Sequence, residues 1–149
     1  MKIHATPALK ILSDTAVKEA ELATEALAKA MKQAFEAQSK YDLLLGYRQD
    51  YLNNLNRSLE NGINAEAHQN FTNFLGKLDQ AVVGQMDIVT SAKYQVTVQR
   101  QLWQECQRKK LSYEVLATRN GRRLQKVELK KDQKAMDEFA MRANRKSRA

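Results

Sequence analysis

From Pro7 to Glu60 the chain carries no second proline and a single glycine, Gly46, and this run constrains the fold more than any motif does. Proline removes a helical hydrogen bond and clashes with the preceding turn, and glycine weakens a helix, so their absence over so long a stretch predicts one helix. Thr6 before Pro7 starts it, because Thr can cap and proline at the first helical position forfeits no bond. At ~1.5 Å per residue it is about 80 Å long. Asn61-Gly62 stops it, since glycine supplies the left-handed position after a helix. Asn64, followed by Ala65, Glu66 and Ala67, reads as an N-cap with an acid in the first turn, so a second helix begins at once. A connection of about three residues is too short for a domain linker and normal for an αα-hairpin.

The sequence therefore predicts a single domain over residues 1–149, with a helix over about 7–60, a turn over about 61–64, a helix over about 65–140 and a frayed basic tail over about 141–149. Five glycines, one proline and 7% aromatic residues are too few for a sheet protein with many turns. The expected class is all-α: two long helices in an antiparallel coiled-coil hairpin with a basic C-terminal helical extension.

The apolar pattern specifies how the helices meet. On the first helix Ala16, Ala20, Ala23, Leu27, Ala30, Ala34, Ala37, Tyr41, Leu44, Arg48, Tyr51 and Leu55 alternate by three and four, with Val17, Met31, Leu45, Leu52 and Leu59 widening the stripe. That is the coiled-coil period, and its alanines imply a closely approaching partner helix. On the second helix the expected seam is Phe71, Phe74, Leu78, Ala81, Gln85, Ile88, Ala92, Gln95, Gln99, Leu102, Cys106 and Tyr113. A turn centred near Gly62 makes antiparallel neighbours' numbers sum to about 125, which sets Pro7 opposite Thr118 and leaves everything later unpaired. The positive charge is concentrated there: from Arg119 onward eleven Lys and Arg face four Asp and Glu, while the whole chain carries +8.

Chemistry of its own is hard to build on such a hairpin, which offers no concave pocket with converging polar groups, so no enzymatic activity and no cofactor are expected. His4 and His68 are far apart and read as exposed helix-end residues rather than metal ligands. Cys106 reads as a small seam residue, and with no second cysteine a reducing cytoplasm is the natural compartment. No nucleotide-binding glycine loop occurs, no apolar run approaches the ~20 residues of a membrane span, and Met1-Lys2-Ile3-His4 lacks a signal-peptide core. The basic tail could bind nucleic acid, but it follows the coiled coil instead of preceding it and lacks interleaved aromatics, so no nucleic-acid partner is expected.

One feature exceeds the needs of a single seam. In the expected register Tyr51 lies level with Phe74, Tyr47 with Leu78 and Leu44 with Ala81, forming an apolar band flanked by Tyr41, Leu45, Leu52, Phe71 and Leu75. Two helices cannot bury all of these, so part of the band must face outward as a docking patch.

The stretch YDLLLGYRQDYLNNLNRSLENGINAEAHQNFTNFLGKLDQAV and the terminal DQKAMDEFAMR resemble the FliJ family, the coiled-coil component of the bacterial flagellar type III export apparatus. The likeness rests on the paired tyrosines, the Gly62-Ile63 turn, the face of Phe74, Leu78 and Ala81, and a tail motif of Asp132, Gln133, Met136 and Phe139. It implies a cytoplasmic hairpin, peripheral to the inner membrane at the flagellar base, that acts as a stalk. The partners it implies are the hexameric export ATPase, the membrane export gate protein and export chaperones that the protein helps to recycle. The gate-facing residues would be Leu44, Tyr47, Tyr51, Phe74, Leu78 and Ala81, the same six as the band. At the next turn of this face the chain has Gln85 where the family carries histidine. The helices level with the termini, around 13–24 and 102–113, are the expected ATPase region. The rival readings are a general secretion chaperone or adaptor, an injectisome stalk, and a basic coiled-coil nucleic-acid binder.

Overall fold

The computed structural model describes residues 6–148, so His4 lies outside the described residues. It contains two helices, α1 over Pro7–Asn61 and α2 over Ala65–Ser147, with no strand among the described residues. The ends follow from local chemistry. Thr6 Oγ1 accepts the Leu9 N–H at 3.3 Å and caps α1. Gly62, at φ +80°, closes the other end by donating its N–H to the Leu59 carbonyl at 3.3 Å. Asn64 Oδ1 then accepts the Ala67 N–H at 2.7 Å, starting α2.

Packing groups the residues into two units, Met1–Glu21 with Glu105–Ala149, and Leu22–Gln104. In each, α1 and α2 pack side by side as an antiparallel hairpin. In the second unit the Arg48 guanidinium pairs with Asp79, the Trp103 indole N–H donates to Thr24 Oγ1 at 3.0 Å, and Gln85 Nε2 donates to the Ala37 carbonyl at 3.0 Å. In the first unit Lys109 Nζ meets Glu19 Oε2 at 3.5 Å. All these pairs have numbers that sum to about 125, the value a turn at Gly62 requires.

The α1 stripe is the seam the sequence describes. Ala16, Ala20, Ala30 and Ala37 are buried, and Leu27, Ala34, Tyr41, Leu44, Arg48, Tyr51 and Leu55 are half-buried along the same line. On α2 only part of the expected seam turns inward. Phe71, Leu78, Gln85, Ala92, Gln99, Cys106 and Tyr113 are half-buried, but Phe74, Ala81, Ile88, Gln95 and Leu102 are exposed. Their place is taken by the row one residue later: Leu75, Val82, Val89, Val96 and Trp103. The contrast is sharpest at adjacent positions, where Val89 is 1% exposed and Ile88 55%. Two neighbouring rows of α2 are both largely apolar at seven-residue spacing, so periodicity alone does not choose between them. The row that packs brings three valines to an α1 seam of alanines, where side chains of moderate size fill the gap between close backbones.

Pairing also reaches further than Thr118. In the first unit Ser13, Ala16 and Ala20 are buried on α1, and Ala117 and Gly121 on α2. Thr6 and Leu9 share a surface groove with Leu116, Asn120 and Arg123. Beyond it, every described residue from Arg122 to Arg148 is exposed. In the structure α2 runs to Ser147. Helix-favouring Ala, Met, Lys and Arg fill this stretch, and Arg145 and Lys146 in the last turn oppose the negative end of the helix dipole.

Candidate docking site

The band near the turn is built by both helices within the unit Leu22–Gln104. Leu44 and Tyr51 lie on the α1 seam and are half-buried, as is Leu78 on α2. They form a floor. Tyr47, one position before the seam residue Arg48, is 54% exposed, and Phe74, one position before Leu75, is 45% exposed. Ala81 is exposed on the same α2 row. The antiparallel arrangement brings these flanking rows together along one side of the seam, so three of the six candidate residues stand outward on three that are anchored.

Ring packing holds Phe74 in place. The Tyr51 ring lies 4.5 Å from that of Phe74 at 45°, and 5.2 Å from that of Phe71 at 49°. Tilted aromatic pairs at such distances add about 0.5–1.5 kcal/mol beyond burial, enough to bias Phe74 toward one orientation. The Arg48–Asp79 pair bridges the two helices at the same level. Both partners are more than a third exposed, so it contributes little to stability and serves mainly to fix register.

Gln85 belongs to the seam, not to the outward face, because its amide bonds the Ala37 backbone across the hairpin. Ile88 is the residue that sequence reading misplaces. It was expected inside, yet it continues the exposed row of Phe74 and Ala81 and lies in a shallow groove with Gln33, Ala37, Ala92 and Gln95. The signal that would have placed it is the neighbouring line of valines. The tail residues Asp132, Gln133, Met136 and Phe139 are all exposed on α2 and belong to the other unit.

Among the described residues no group of His, Cys, Asp and Glu is arranged to hold a metal, and no helix is long and apolar enough to cross a membrane. Cys106 is half-buried and His68 exposed. The arrangement presents an apolar surface beside the seam.

A helical hairpin with an alanine-rich seam and outward apolar side chains is a coiled-coil protein by fold. Comparison with known proteins makes the class specific. The chain belongs to the flagellar FliJ protein family, whose sequence profile matches residues 5–149. It is 29% identical over 136 residues to the flagellar FliJ proteins of Escherichia coli (strain K12) and of Salmonella typhi, covering 91% of this chain and 92% of each relative. No solved structure matches the chain significantly.

Proposed function

We propose that this protein is a non-enzymatic part of the flagellar type III export apparatus, a stalk that binds the hexameric export ATPase and couples it to the membrane export gate. Family membership supports the apparatus. The observation that carries the docking role is the outward placement of Tyr47, Phe74 and Ala81 on the half-buried Leu44, Tyr51 and Leu78. Apolar side chains fixed in this way lose little freedom on binding, and tyrosine is a favoured anchor. The band is the gate contact, and it holds the cytoplasmic protein at the inner membrane of the flagellar base. Handling of empty export chaperones for reuse belongs to the same role.

Toward the ATPase, the chain acts by contact. A hairpin has no six-fold symmetry, so seated in a ring of six it meets the subunits unequally and biases the nucleotide state of each, which is a coupling free energy shared by both partners. Adding the protein to its ATPase is therefore expected to raise hydrolysis and promote ring assembly. A phosphate-release assay run with sizing of the ring tests this, and unchanged hydrolysis with unchanged assembly counts against the stalk.

A further inference from the structure

The docking band leaves the tail unexplained, yet the tail holds some of the most exposed large apolar side chains among the described residues. Met136 is 72% exposed, Phe139 75% and Leu129 66%. They do not continue the hairpin seam: stepping on by sevens from Ala117 through Leu124 meets Lys131 and Glu138. At about 100° per residue, Leu129, Met136, Phe139, Ala140 and Ala143 fall instead within an arc of about 100°, a separate face of α2. Lys130, Lys134, Arg145 and Arg148 fall on the opposite side together with Glu138 and Met141, while Lys146 borders the arc next to Phe139 and Arg142 lies about 60° beyond it. Phe139 and Ala143 line one surface hollow together with Arg142, Arg145 and Lys146.

We propose that residues 129–147 of α2 form a basic amphipathic helix that lies flat on an anionic lipid surface. The proposal does not rest on the export reading. Its apolar face is covered by nothing in the chain, and the excess of cations matches a layer of anionic headgroups. The bordering Lys146 can run its stem along the acyl boundary and leave its charge among the headgroups. Asp132 falls inside the apolar arc and keeps insertion shallow, since its carboxylate must stay at headgroup level. Other occupants fit less well. A second copy of the tail is repelled by its charge, and a nucleic acid would use the cations but leave the apolar arc idle. An acidic protein groove is matched best by large rigid anchors and converging cations; here the anchors are mostly Met and Ala, and the cations spread round the rest of the circumference.

Flotation of the full chain with vesicles of phosphatidylglycerol and phosphatidylcholine, against vesicles of phosphatidylcholine alone, tests the assignment. The chain is expected to float with the anionic vesicles only. Met136→Ser with Phe139→Ser should lower partition roughly tenfold, and each of Lys130→Gln and Lys134→Gln roughly fivefold. Asp132→Asn should raise partition severalfold with helicity unchanged, a change opposite in direction to the losses. All these positions are exposed, and circular dichroism of each variant checks that helicity is kept. Failure to bind anionic vesicles overturns the proposal and assigns the tail to an acidic protein. Binding that Met136→Ser with Phe139→Ser leaves unchanged overturns it as well, because charge attraction alone would then suffice.

Discussion

Gly62 and Gly46 are both exposed with open space where a side chain would project, so neither is required by packing. Their difference lies in the backbone. Gly62 sits at φ +80°, where a Cβ is strained, while Gly46 is inside α1 with ordinary helical geometry. Gly62→Ala should therefore destabilise the hairpin by about 1–2 kcal/mol, and Gly46→Ala should stabilise it by about 0.5–1 kcal/mol. Thermal unfolding of the two variants checks the pair of signs. These glycines were legible in the sequence, because the Asn61-Gly62 stop and the Asn64 cap act through neighbours a few residues away.

Packing between elements was legible only in part. The α1 stripe could be read because the rows beside it are interrupted by polar residues, Glu19, Lys29, Gln33 and Glu36 on one side and Glu21, Thr24 and Gln38 on the other. The α2 seam could not be fixed completely, because two adjacent rows were apolar and only contact with α1 distinguishes them. For the same reason Phe74 and Ala81 were expected in the seam while also being expected in the docking patch, and the shift of one residue leaves both exposed beside the seam. Val89→Ala should cost about 2 kcal/mol, since it empties a buried position, whereas Ile88→Ala should change stability by less than about 0.5 kcal/mol. Urea unfolding of both variants measures the difference directly. A larger loss for Ile88→Ala than for Val89→Ala would mean that the rows are exchanged. The tail was read as basic from composition, and α2 runs through it to Ser147 because local propensity and the favourable charges of the last turn suffice without a partner.

At the scale of the whole molecule, the two helices bury little besides alanines; among the described residues Val89 is the largest side chain that is fully buried. A hairpin with so small a core gains stability from whatever binds its folded form, so its melting temperature should rise with partner concentration. On the proposed reading its large exposed apolar side chains are the surfaces that meet those partners. The most direct measurement is the affinity of the full chain for the cytoplasmic part of the export gate protein, by titration calorimetry, for the wild type and for Tyr47→Ala with Phe74→Ala. Truncating two anchors of a docking patch is expected to weaken binding by about 2 kcal/mol or more, roughly thirtyfold, with the helical content of the free protein unchanged. A double variant that keeps its fold and binds the gate as tightly as the wild type would contradict the account.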